Sequence, residues 1–242
     1  MRVLVVSDIH SNLPALQAVL ADAGGFDACW CLGDIVGYGG EPDGCISLLQ
    51  TLKNLSVVRG NHDSAVAGIL SVEYFNGDAR RSVEWTRENL LPENLEYLRG
   101  LPEKLTVLQT TLAHGSPRDP TWEYVLEKRT ASANFYAFET RYCLVGHSHI
   151  PLLFHLEGEA GSQVLRSERP GPQAHFMGRV IANPGSVGQP RDNDWRAAYA
   201  IFDPEAGDWY ARRIAYNVKE SQDSIRRNGL PADNAVRLER GW

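Results

Sequence analysis

The chain has 242 residues, 43% hydrophobic and 22% charged, with a formal net charge of -6. That length suits one larger α/β domain with a sizeable core, and no apolar run reaches the roughly 18 residues a membrane helix needs. An acidic balance without any run of Lys or Arg argues against a surface for duplex nucleic acid, while leaving room for a small phosphate compound bound locally.

The opening "RVLVVS" reads as a short apolar first strand, and nothing around it has the small-residue cleavage site of a signal peptide. "LPALQAVLADA" carries Leu13, Leu16, Val19 and Leu20 at helical spacing, with Pro14 suited to a first turn. "DACWCLGD" is a second strand, "PDGCISLLQTL" a second helix and "LSVVRGN" a third strand. This βαβαβ order predicts parallel strands joined by helical crossovers.

Residues 64–100 read as a helical cap segment, with "DARRSVEWTRENL" and "ENLEYLRGL" as its helices. From 104 onward, "KLTVLQT", "TLAHGS", "YCLVGHS", "LLFHLE", "RVIANPGS", "RAAYAIFD" and "WYARRIAYN" read as strands, so a second sheet is expected. "ASANFYAFET" suits a helix between two of them, and "VKESQDSIRRNG" a polar closing helix. The Gly- and Pro-rich stretch 158–178 reads as a loop or hairpin excursion, and the tail 233–242 has little to pack. No linker divides residues 1–242, which are expected to form a single domain. A homo-oligomer built on 64–100 or 158–178 is left open.

Cys29, Cys31, Cys45 and Cys143 lack the paired spacing of a zinc site. They are expected as reduced, buried thiols of a cytoplasmic protein.

Five of the seven histidines directly follow apolar, strand-like runs, in "SDIH", "GNHD", "LAHGS" and "GHSH". The ends of parallel strands are where open α/β sheets gather ligands, and Asp8, Asp34 and Asn61 fall at the same places. In "GHSH", extended backbone would turn His147 and His149 to one side. Such mixed carboxylate, imidazole and amide donors favour manganese, iron, zinc or nickel over calcium. His155 and His175 lie outside this pattern and are expected to be structural.

These residues, in order and character, resemble the five motifs of the calcineurin-like metallophosphoesterases: Asp8 and His10; Gly33 and Asp34; Gly60 to Asp63; His114; and Gly146 to His149. The later "NPGSVGQPR", 183–191, is similar to a stretch of a bacterial and archaeal branch of small predicted phosphodiesterases. The resemblance implies a four-layer αββα sandwich with two mixed sheets and a centre of two divalent transition-metal ions, manganese foremost. Asp8, His10, Asp34 and His149 would hold one ion and Asp34, Asn61, His114 and His147 the other, with Asp34 bridging. A bridging hydroxide would attack the phosphate ester, and His62 would protonate or hydrogen-bond the leaving oxygen, a task suited to an imidazole pKa near about 6.5.

Phosphoprotein phosphatases of this superfamily carry Asp-Arg where this chain has Gly37 and Tyr38. That weakens the phosphatase alternative and removes the usual partner of the catalytic histidine, for which Asp63 is the neighbouring candidate. A phosphodiesterase acting on a small, nucleotide-like substrate is therefore preferred to a phosphomonoesterase, and both to a non-catalytic scaffold or a metal store. Arg191 is the candidate phosphate contact, ahead of Arg59, which is expected to pair with an acid. Tyr38, Trp122 and Tyr124 could stack on a base or simply pack. "NPGSVG" could turn backbone N–H groups on an anion or form a plain turn.

Overall fold

In the computed structural model, which describes residues 1–157 and 164–242, the first hundred residues alternate strands and helices before turning wholly helical. They run β1 (Val3–Val6), α1 (Leu13–Ala23), β2 (Ala28–Cys31), α2 (Pro42–Gln50), β3 (Leu55–Val57), α3 (Asn61–Val66), α4 (Gly77–Asn89) and α5 (Pro92–Gly100). Next come β4 (Lys104–Val107), β5 (Thr110–Ala113), α6 (Lys128–Asn134), β6 (Tyr142–Leu144), β7 (Leu152–Glu157) and β8 (Val164–Glu168). The chain ends with β9 (Ala174–His175), β10 (Arg179–Asn183), β11 (Ala197–Asp203), β12 (Asp208–Ile214), α7 (Val218–Arg227) and α8 (Ala232–Val236).

The strands form two sheets of six, in the orders β3-β2-β1-β11-β12-β9 and β4-β5-β6-β10-β7-β8. Both are mixed. β1, β2 and β3 run parallel in the first, and β5, β6 and β10 in the second, while every other neighbouring pair is antiparallel.

Residues alternate between the two faces of each strand, and this sorts the core into layers. Val3, Val5, Ala28 and Trp30 of the first sheet meet Leu112, Tyr142, Leu144 and Val180 of the second in an apolar layer between the sheets. Leu4, Val6, Cys29 and Cys31 point the other way, against α1, α2 and α3. Cys143, Phe154 and Ile181 face outward beneath Ala131, Phe135 and Phe138 around α6. The result is the expected four-layer αββα sandwich. All four cysteines are buried and unpaired, and among the described residues no helix is long and apolar enough to cross a membrane.

Three segments depart from the sequence reading. The helix expected over 131–140 lies at Lys128–Asn134, because Phe135 and Phe138 leave helical register to pack on the second sheet. The tail at 233–242 is not loose. Ala235 and Leu238 join Ile225 and Leu230 in a small core, and the Asn234 amide donates to Tyr38 O (3.2 Å) and Ser82 Oγ (2.9 Å). Two apolar residues and an amide are too few to show as a pattern in the sequence. In the 158–178 excursion, β8 pairs with β7 as a hairpin arm and β9 crosses to the edge of the first sheet; residues 158–163 lie outside the described residues.

Candidate metal centre and its surroundings

Asp8 and His10 follow β1, Asp34 follows β2, Asn61 and His62 open α3 after β3, His114 follows β5, and His147 and His149 follow β6. The carboxyl ends of both parallel cores thus meet at one place, and each of these eight side chains is at most 4% exposed. Asp8, His10, Asp34, His147 and His149 have φ between 49° and 64°, a left-handed conformation uncommon outside glycine. Residues held there cost about 1–3 kcal/mol each and cluster at functional sites. Interlocked backbone bonds hold them, such as Asp8 N–H to Gly33 O and His10 N–H to Asp34 O, both 3.0 Å.

Hydrogen bonds fix the proton positions on three rings. Nδ1 lies 3.1 Å from Val36 O in His10, 2.5 Å from Gln189 O in His149 and 2.8 Å from Leu32 O in His114. A carbonyl only accepts, so each Nδ1 carries a proton and each Nε2 faces the site. The Nε2 atoms of His10 and His149 stand 3.2 Å apart. As neutral imidazoles they would oppose two lone pairs at that distance, an arrangement a cation relieves.

Asp8 Oδ1 is 3.3 Å from His149 Nε2. His114 Nε2 lies 3.1 Å from Asn61 Oδ1, 3.2 Å from His147 Nδ1 and 3.3 Å from Asp34 Oδ2. Asp34 Oδ2 is also 3.6 Å from His10 Nε2, so this carboxylate stands between the two groups of donors. Three overlapping triads could hold an ion: Asp8, His10 and His149; His10, Asp34 and His62; and Asp34, His114 and His147. His147 Nε2 is buried without a hydrogen-bond partner. Donor chemistry and spacing fit divalent transition metals, with His147 turning Nδ1 and not this nitrogen toward His114.

Burial sets the charge of these groups. It holds His10 and His149 well below the usual imidazole value, His147 down at about 3 and His62 at about 4. Burial, together with Asp34 nearby, pushes Asp8 up to about 7. For Asp34 burial opposes ionisation, yet His114, His62 and His10 hold its carboxyl well below the ordinary range. Burial likewise opposes a proton on His114, which Asp34 nevertheless carries up to about 9. His62 therefore departs from the unperturbed imidazole expected of it.

The His62 ring is set by packing. Tyr38 lies 4.6 Å from it, His10 4.9 Å and Phe75 5.0 Å, centroid to centroid. Gly37 adopts φ +94°, and a Cβ there would fall 2.4 Å from His62 Nδ1; the ring occupies the space a side chain at 37 would need. Asp63 is not the orienting partner. Its carboxylate accepts from Val36 N–H (3.1 Å) and Gly60 N–H (3.0 Å), capping α3. Gly60 is needed for a different contact, since a Cβ would stand 2.1 Å from Asp34 Oδ1.

The "NPGSVGQPR" stretch acts as a clamp and not as an anion cradle. Val187 N–H and Gly188 N–H donate to Ser7 O and Asp8 O (both 3.0 Å), Ser186 Oγ donates to Asp8 O (2.8 Å), and Asn183 Nδ2 reaches Gly146 O (2.7 Å). Its donors are thus spent on the loops that carry Asp8 and His147.

A cavity of about 160 Å³ opens above the donors, lined by Asp34, Asn61, His62, His147 and His149 below. Tyr38, Tyr74, Phe75, Trp122, Tyr124 and Arg191 wall it. Tyr124 stacks on His147 at 4.0 Å, and Trp122 lies 5.4 Å from Phe75. Sequence reasoning missed Tyr74 and Phe75, which follow a short turn without a motif, and the Gln189 carbonyl, a backbone role no side chain reveals. Arg59 is elsewhere, donating to Leu101 O (2.7 Å) and Ser64 Oγ (3.0 Å) and meeting Glu103 at 3.3 Å. His175 pairs with Asp208 (2.8 Å), and His155 packs near Phe176, both away from the cavity.

Comparison with known proteins agrees with this geometry. Residues 1–207 match the model of the calcineurin-like phosphoesterase superfamily domain. An uncharacterised protein of Methanocaldococcus jannaschii is 38% identical over 240 residues, covering 95% of this chain and 93% of the relative. The crystal structure of a metallophosphoesterase from Sphaerobacter thermophilus superposes with a TM-score of 0.89 at 46% identity, covering 100% of this chain and 99% of that one. A hypothetical protein of Pyrococcus horikoshii shares the fold, with a TM-score of 0.81 at 24% identity over 100% and 98% of the two chains.

Proposed function

Since the chain belongs to the calcineurin-like phosphoesterase superfamily, we propose that it is a metal-dependent phosphoesterase preferring phosphodiesters of small, nucleotide-like molecules. The observation that carries this reading is the convergence of seven buried donors and His62, in its aromatic setting, at the foot of one cavity. Asp8, His10, Asp34 and His149 would hold one divalent ion and Asp34, Asn61, His114 and His147 a second. Manganese comes first, then iron, zinc or nickel. Such ions, when bound, supply Lewis-acid stabilisation of phosphate charge and a more acidic water.

The chain's own residues do the rest. The carbonyls of Val36, Leu32 and Gln189 each accept the Nδ1 hydrogen bond of an imidazole and so turn Nε2 of His10, His114 and His149 toward the site. His62, kept neutral by burial, would donate a hydrogen bond to the leaving oxygen as charge builds there. Tyr38 and Phe75 hold that ring in place without a carboxylate. Arg191 is the sole guanidinium among the residues lining the cavity and would contact a phosphate group of the substrate. The aromatic wall of Tyr74, Trp122 and Tyr124 offers a flat surface to a second ester substituent. Four buried, unpaired thiols suit a reducing compartment, and we place the protein in the cytoplasm.

The test is to strip the protein with chelator, restore Mn²⁺ and compare hydrolysis of an aryl phosphodiester with that of the matching monoester. Metal-dependent cleavage with the diester ahead is expected. Monoester preference would overturn the diesterase assignment, and no cleavage of either would overturn the enzymatic one.

A further inference from the structure

Beside the metal cavity, across Tyr38 and Asn76, lies a second cavity of about 130 Å³, lined also by Arg237 and Trp242 of the C-terminal segment. Arg191 and Arg237 both reach toward the face of the Tyr38 ring, at 5.8 and 5.9 Å from its centroid. They also converge on a single neutral acceptor: Gln189 Oε1 takes a hydrogen bond from Arg191 Nη2 at 2.8 Å and from Arg237 Nη1 at 3.4 Å.

Two guanidinium groups drawn to one amide oxygen repel each other, and the repulsion grows as water is withdrawn. Arg237 is half-buried, and Arg191 Nε is buried with no partner. Several other arginines of this acidic chain meet carboxylates, as Arg213 meets Asp192 and Arg196 meets Asp194, and others such as Arg2 and Arg179 meet backbone carbonyls. Arg191 and Arg237 form no ion pair among the described residues. Asp78 and Asp233 line the second cavity and pull on Arg237 from a distance, though Asp78 is engaged by Arg81. The Tyr38 and Trp242 faces soften the charge but do not neutralise it.

We propose that Arg191 and Arg237 form an anion subsite beside the metal cavity that takes a second phosphate group of the substrate. The anion-binding part stands on the arginine pair alone; the substrate part rests on the phosphoesterase reading above. The paired forks supply the planar donors that phosphate recognition uses. The substrate class narrows to esters carrying a further phosphate within reach of the scissile one, on the Tyr38 side.

Calorimetric titration of inorganic phosphate into chelator-treated protein tests the subsite without any contribution from bound ions. The wild type should bind phosphate, Arg237→Gln should weaken it at least about tenfold, and Arg237→Lys should restore part of the affinity, with thermal unfolding confirming that both variants fold. No binding by the wild type, or binding indifferent to Arg237→Gln, overturns the subsite. With Mn²⁺ restored, the p-nitrophenyl ester of thymidylate is then compared with the same ester bearing a phosphate on its free sugar hydroxyl. A higher kcat/KM for the second, lost in Arg237→Gln, is the expected result. Equal handling of the two by wild type overturns the substrate role and assigns the arginines to free phosphate. If neither ester is cleaved while phosphate binding still responds to Arg237, the phosphoesterase reading falls and the anion site stands.

Discussion

Asp34 and Trp122 face the same cavity from opposite kinds of structure. At the floor, Asp34, His10, His147 and His149 sit at strand ends, buried and strained, and backbone carbonyls hold Nδ1 of His10, His114 and His149. At the rim, Tyr74, Trp122, Tyr124 and Arg191 come from loops; Tyr74 is 71% exposed and Tyr124 45%. Each floor residue depends on the exact position of several others, so the floor should tolerate almost no change. The rim offers surface and charge, so its changes should shift which substrate binds more than whether chemistry occurs.

The most damaging test of this contrast is Asp34→Asn. With the shared carboxylate reduced to an amide, turnover should fall by at least about 10³-fold, and metal content measured by elemental analysis should drop. Retention of both ions would break the bridging assignment. Next is His62→Ala, which should keep its metal and lose about 10²- to 10⁴-fold in kcat. Unchanged turnover would remove His62 from the chemistry, and lost metal would make it the ligand that its triad with His10 and Asp34 allows.

Gly37→Ala sharpens the comparison, since it changes no donor. A methyl 2.4 Å from His62 Nδ1, on a backbone at φ +94°, should destabilise the fold by about 1–3 kcal/mol. It should also lower kcat about tenfold by moving the ring, with metal content unchanged. Thermal unfolding and steady-state kinetics read the two effects separately. The smallest effect belongs to the rim. Trp122→Ala should raise KM for an aryl diester about five- to tenfold, in line with the loss of one stacking surface, while kcat moves little. A collapse of kcat there would erase the distinction between floor and rim.

The difference in tolerance matches what could be read from the chain. Donors at strand ends follow apolar runs and fall in short motifs, so Asp8, His10, Asp34, Asn61, His114, His147 and His149 stand out in the sequence. The layered fold follows from period-two and helical patterning through the same segments. The rim carries no such pattern. Phe75 and Tyr74 reach the cavity only because a short turn at Val72–Tyr74 ends beside α3. Arg237 reaches Tyr38 because Asn234, Ala235 and Leu238 dock a segment whose sequence looks unanchored. The depression of His62 by burial and the clamp formed by residues 183–189 are likewise three-dimensional facts: polar Asn183, Ser186 and Gln189 look like loop residues until their partners on the Asp8 and His149 loops are seen.

In the proposed mechanism, hydrolysis would need two ions, held by donor sets that share Asp34. The most direct measurement is a titration of Mn²⁺ into chelator-treated protein, following bound metal and aryl diester cleavage in the same samples. Activity that stays low through the first ion per chain and rises with the second is the predicted result. Full activity at one ion per chain, or cleavage indifferent to metal, would contradict it.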